Sequence, residues 1–132
     1  MGEAILEHAR ERLINTIGRD TLPQLVALLE AADVLVSPDS GPVHMATAVG
    51  TAVVGLYAAT NPERSGPYFS RSSTANRYDE AARKYLGKPA SEIAWTTKIE
   101  KPGVMDLVEP AEAIRKLDAV MRQRGKRPRQ WA

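Results

Sequence analysis

The residues best suited to chemistry form one short run, Asp39-Ser40-Gly41-Pro42-Val43-His44. It follows an apolar segment and opens a helical one. Gly41 permits a close backbone approach. Pro42 sets a helical φ at a position whose N–H would have no intrahelical partner. The N–H groups of Ser40, Gly41, Val43 and His44 would then point outward from a helix N-terminus. That end carries about half a positive charge and can hold a phosphate. Ser40 and Thr47 can add hydroxyls, and His44 can donate to an anion. Asp39 is the odd member. A carboxylate beside a phosphate is costly unless it binds a sugar hydroxyl, orders the loop or holds His44. The same run also reads as a strand–helix connection with an Asp/Ser cap that binds nothing.

A second run, residues 59–68, carries Thr60, Glu63 and Arg64. Thr60 can cap a helix or donate to an anion. Arg64 offers a two-pronged fork for phosphate or carboxylate, and Glu63 can accept from a sugar hydroxyl. The alternative is a turn-rich connection with a surface Arg–Glu pair.

Both runs need elements to place them. Residues 4–14 put Ile5, Leu6, Ala9, Leu13 and Ile14 at helical spacing, and Gly18 marks a break. A second helix opens at Asp20 or Thr21, tolerates Pro23 in its first turn, shows Leu22, Leu25, Val26, Leu28 and Leu29 on one face, and ends at Ala31-Ala32. Residues 33–37 read as a buried strand, 42–49 as a helix closing near Gly50, and 51–57 as a second buried strand. Continuous apolar strands alternating with helices imply α/β architecture, a Rossmann-like parallel sheet covered on both faces. Both chemical runs then leave the carboxyl ends of neighbouring strands, where such sheets bind ligands. Residues 58–73 read as a long polar loop. A helix over 79–86 ends at Gly87, 90–95 form a helical turn, and 96–109 are irregular. A last helix covers 110–121, with Ala113, Ile114, Leu117, Val120 and Met121 inward.

Composition narrows the classes. At 132 residues the chain fits one domain, with 43% hydrophobic and 26% charged residues and no cysteine. That excludes a disulfide framework, a thiolate metal site and a cysteine nucleophile. Two histidines, His8 and His44, leave little for a metal cluster, so no metal or cofactor is expected. The apolar runs are too short to span a bilayer, and the acidic N-terminus does not read as a secretory signal. A cytoplasmic protein is expected. Net charge is +2, but Arg122, Arg124, Lys126, Arg127 and Arg129 crowd the last eleven residues; without those five the body stands at −3. The expected division is a body over 1–121 and a basic, solvated, disordered tail over 122–132. Such a tail can touch an anionic membrane surface. Nucleic-acid binding is disfavoured, because the body offers no second basic patch or aromatic platform.

Asp39-Ser40-Gly41-Pro42-Val43-His44-Met45-Ala46, Gly50-Thr51, Val53-Val54-Gly55-Leu56-Tyr57 and Thr60-Asn61-Pro62 together resemble the donor-binding half of ADP-heptose:lipopolysaccharide heptosyltransferases, glycosyltransferase family 9. Asn15-Thr16-Ile17-Gly18 and residues 25–33 look like the preceding helix and strand. Residues 76–88 and 102–107 look like the tail of the heptosyltransferase II group. The resemblance covers roughly residues 13–121.

It implies a GT-B architecture of two Rossmann-like domains facing across a cleft, with the C-terminal one holding the nucleotide-sugar. Ser40, Gly41, Pro42 and Val43 would line the diphosphate, Asp39 and His44 would shape the donor pocket, and Thr60 would sit close by. Glu63 and Arg64 are further candidates. The implied reaction is inverting and metal-independent, moving heptose from ADP-heptose to the lipopolysaccharide inner core. The catalytic acid and the acceptor contacts would lie on an N-terminal domain absent here. The chain alone is therefore expected not to turn over, and missing sheet strands imply self-association or low stability. Work at the inner face of the inner membrane would follow. The competing expectation is a non-catalytic nucleotide-binding or assembly fragment.

Overall fold

The computed structural model describes residues 2–124. Nine helices and strands carry the described fold: α1 (Gly2–His8), α2 (Leu22–Ala31), β1 (Val34–Pro38), α3 (Gly41–Ala48), β2 (Ala52–Tyr57), α4 (Pro62–Ser65), β3 (Ala75–Asn76), α5 (Tyr78–Leu86) and α6 (Pro110–Arg124). The sheet has the order β1-β2-β3. Both pairings are parallel, in register from Val34 opposite Ala52 to Pro38 opposite Leu56, and from Leu56 opposite Ala75. The expected α/β class and parallel sheet hold.

β2 is the centre of the core. Val53 and Val54 are fully buried, and adjacent residues of a strand face opposite sides. β2 is therefore covered on both faces. On one side Val53 joins Leu29, Val43 and Ala46, bringing α2 and α3 onto the sheet. α6 packs against all three strands. A second cluster of Ala58, Tyr78, Ala81, Ala82, Ile99 and Val104 holds α5 and the following irregular segment.

Coverage thins over β1. Val36 stands beside Val54 in register but is 44% exposed. The expected buried strand is thus, among the described residues, an edge strand only partly covered on the Val36 side.

Local rules explain α2. Thr21 is its N-cap, and Thr21 and Gln24 bond each other's backbone N–H reciprocally, with Pro23 in the first turn. Of the expected apolar face only Leu29 is buried; Leu22 and Leu28 stay exposed. The expected first helix over 4–14 stops at His8. It buries no residue, and a short helix without packing has little to sustain it.

Three further expectations need correction. The loop over 58–73 contains α4 and a 3₁₀ turn at Arg71–Ser73. β3 went unforeseen because two residues carry no periodicity. α6 runs to Arg124, three residues into the expected tail, with Arg122 Nε donating to Asp118 O at 3.3 Å. Its inward stripe is also rotated. Val120 is buried while Ile114 and Met121 are exposed. Polar anchors set that rotation: Arg77 Nη2 pairs with Glu112 at 2.7 Å and Lys116 Nζ donates to Ser72 O at 2.9 Å. Residues 125–132, the rest of the expected tail, lie outside the described residues.

Candidate functional site

The expected turn forms as a strand–helix junction. β1 ends at Pro38, and α3 starts at Gly41 with Ser40 as N-cap in extended geometry. No side chain caps the helix. Gly41 is exposed, and a Cβ placed on it would meet only Met45 Cε, at 3.9 Å. The first turn of α3 therefore presents bare backbone at the sheet rim, where an anion can approach. His44 is exposed on that first turn.

Several expected donors are already engaged. Val43 N–H donates back to Ser40 O at 3.1 Å. Thr47 Oγ1 donates to Val43 O at 2.8 Å, so its hydroxyl turns into the helix. Ser37 Oγ donates to Pro38 O at 2.9 Å and lies 2.9 Å from Ser40 Oγ. Since Ser37 has one proton, Ser40 donates to Ser37. An incoming anion would meet the helix end, not these hydroxyls.

Asp39 orders the loops. Its Oδ2 accepts from Ser65 Oγ at 2.7 Å, across from the neighbouring strand. Ser65 sits at the end of α4, where Tyr57 OH donates to its carbonyl at 3.0 Å. Burial first, and the Asp39 carboxylate second, push the Tyr57 phenol above its ordinary range. Asp39, Ser65 and Tyr57 thus lock the turn after β1 to the helix after β2. Of the three roles open to Asp39, loop ordering is the one the contacts show.

The second run divides. Asn61, not Thr60, caps α4, its Oδ1 accepting from Glu63 N–H at 3.0 Å. Thr60 is half-buried beside it. Glu63 pairs with Arg71 at 3.2 Å, not with Arg64. Arg64 is exposed, and its charge favours ionisation of Tyr78 against the larger effect of burial. The structure brings Asp39–His44 and Thr60–Arg64 to one rim, because both follow parallel neighbours. The residues missed were Ser65, Tyr57 and Arg71. Only Tyr57 had a usable signal, as the polar-tipped end of an apolar strand.

Comparison with known proteins gives the family. Residues 1–96 match glycosyltransferase family 9 (heptosyltransferase). The chain belongs to that family. It is 43% identical over 100 residues to the lipopolysaccharide core heptosyltransferase OpsX of Haemophilus influenzae, covering 76% of this chain and 29% of the relative. It is 31% identical over 71 residues to lipooligosaccharide heptosyltransferase 2 of the same organism, covering 54% of this chain and 20% of that protein. The chain thus spans less than a third of the length of either relative. No solved structure matches. The parallel sheet with flanking helices is consistent with a GT-B-like glycosyltransferase domain.

Proposed function

We propose that this chain is the donor-binding portion of a heptosyltransferase that moves heptose from ADP-heptose to the lipopolysaccharide inner core. One observation carries the reading: the uncapped first turn of α3, opening on an unobstructed Gly41 at the carboxyl end of a parallel strand. There the N-terminal backbone and helix dipole stabilise the diphosphate, bound or leaving. Ser40, Gly41 and Pro42 line it. Val43 contributes packing, and His44 stands in the first turn as a further donor. Asp39 keeps the turn in place through Ser65.

The 132-residue chain binds the donor without transferring heptose by itself. The acceptor, a lipopolysaccharide core sugar, is held by the portion of the family protein that this chain does not match. The work belongs at the cytoplasmic face of the inner membrane, where the basic residues of 122–129 meet anionic lipid. No helix among the described residues is long and apolar enough to cross a membrane.

Calorimetric titration with ADP and ADP-heptose tests the proposal. Saturable binding is expected, and Gly41→Val should abolish it. Absent binding, or binding indifferent to that change, overturns the phosphate turn.

A further inference from the structure

We propose that a second cleft on the same rim is a subsite for an uncharged pyranose ring, stacked on Trp95. The cleft encloses about 310 Å³ and is lined by Asn61, Glu63, Asn76, Asp79, Ser91 and Trp95 among others. None of the phosphate-turn residues Asp39 to His44 borders it. It lies beyond the ends of β2 and β3, one and two strands from that turn.

The cleft is a braced surface. Asp79 Oδ1 accepts from Ala90 N–H at 2.8 Å, and Tyr78 OH donates to Thr97 O at 2.8 Å. Two neighbouring residues of α5 thus pin the chain on either side of Trp95. Trp95 is nevertheless 58% exposed. A large, exposed aromatic on a braced stretch of backbone beside polar groups suits a ligand with one apolar face and several hydroxyls.

The polar inventory selects the ligand class. Asn61 Oδ1 accepts from Glu63 N–H and Asn76 Oδ1 from Tyr78 N–H, each at 3.0 Å. Each amide oxygen keeps a second lone pair. Among the described residues neither Nδ2 has a protein partner, so each offers donors to the cleft. Glu63 Oε2 pairs with Arg71, and Asp79 Oδ2 accepts from Arg83 at 2.7 Å. Both carboxylates are thus held in ion pairs, and the lining itself carries no cation, Arg64 standing beside it within reach of Tyr78. Amide donors, the remaining Glu63 oxygen, the Ser91 hydroxyl and a stacking face match a sugar ring and its hydroxyls.

The ring assignment stands without the heptosyltransferase reading; the choice of a heptose probe rests on it. The experiment records ¹H–¹⁵N spectra of the full chain during titration with the methyl glycosides of heptose and of mannose, and separately with ADP. Saturable shifts of the Trp95 indole and the Asn61 and Asn76 amides are expected with at least one glycoside. Affinity should be on the order of millimolar for a ligand of that size. Trp95→Ala should weaken binding at least tenfold and Trp95→Phe less, while ADP shifts near Gly41 persist in both. No saturable glycoside shift, unchanged binding in Trp95→Ala, or ADP moving the cleft resonances overturns the subsite. If ADP shifts nothing but the glycoside still binds, the donor reading fails and the subsite stands.

Discussion

Ser65 Oγ donates to Asp39 Oδ2 at 2.7 Å, joining the turn after β1 to the helix after β2. If ordering is the role of Asp39, Ser65→Ala should weaken ADP binding in the same direction as Asp39→Ala. The double variant should be little worse than either alone. The coupling should be about 1–2 kcal/mol, as for a hydrogen-bonded pair containing a charged group. A double-variant cycle read by calorimetry checks this. Strict additivity would show that Asp39 acts on the ligand directly.

Gly41 separates folding from binding. Its backbone conformation is not left-handed, and a Cβ would find ordinary space near Met45. Gly41→Ala should therefore leave thermal stability unchanged or raise it slightly, by up to about 0.5–1 kcal/mol, since alanine favours helix. A diphosphate seated on the first turn would lose its close approach. ADP affinity should fall tenfold or more while the melting temperature holds. Melting and titration on one sample decide it.

Gly55 and Gly66 should behave in the opposite way. A Cβ at Gly55 would lie 2.7 Å from Tyr57 Cε2 and 3.1 Å from Thr74 Oγ1. At Gly66 it would strike the Pro62 carbonyl. Either alanine substitution should cost about 1–3 kcal/mol of stability by overpacking. The Gly66 change should also displace Ser65 and so weaken ADP binding. Denaturant melts of both variants give the stability cost.

These contacts show where the sequence was legible. The 33–57 segment carried its signals locally: an apolar run, a Gly-Pro turn, a second apolar run. Its elements fall within a residue or two of expectation. The Asp39–Ser65 bond joins residues far apart in the chain, and no periodicity encodes it. The rotation of α6 was hidden for the same reason. Glu112 and Lys116 fall outside the apolar stripe read from the sequence, yet Arg77 and the Ser72 carbonyl draw them inward. The failure of the first helix lay in packing, since its apolar spacing was helical but nothing covers it.

Tyr57 makes the fold sensitive to alkali. Burial and the Asp39 charge hold its phenol above the ordinary value of 10.0. Below that value the phenol is protonated in both states and its contribution is complete. As pH rises past it, the unfolded chain releases the proton while the folded chain does not, so stability is lost. Tyr57→Phe should flatten this decline above pH 10. At neutral pH it should cost about 1 kcal/mol through the lost bond to the Ser65 carbonyl. Urea melts across the alkaline range measure both effects, and an equally steep decline in Tyr57→Phe would exclude Tyr57 as its source.

The open side of β1 should govern how the isolated chain behaves. β1 pairs only with β2 among the described residues, and Val36, on the side that α6 covers only in part, is 44% exposed. Ile14, Ile17 and Leu22 add exposures of 87%, 67% and 61%. A parallel sheet is ordinarily buried on both faces, and an open edge invites pairing, as do exposed apolar side chains elsewhere on the chain. Sedimentation velocity should show association that grows with concentration. Val36→Lys places a charge on that face and should shift the chain toward monomer. It should leave ADP binding intact, because Val36 lies two residues inside β1, away from the turn at its end. A monodisperse monomer at every concentration would remove the claim. Association unchanged by Val36→Lys would move the interface off this face.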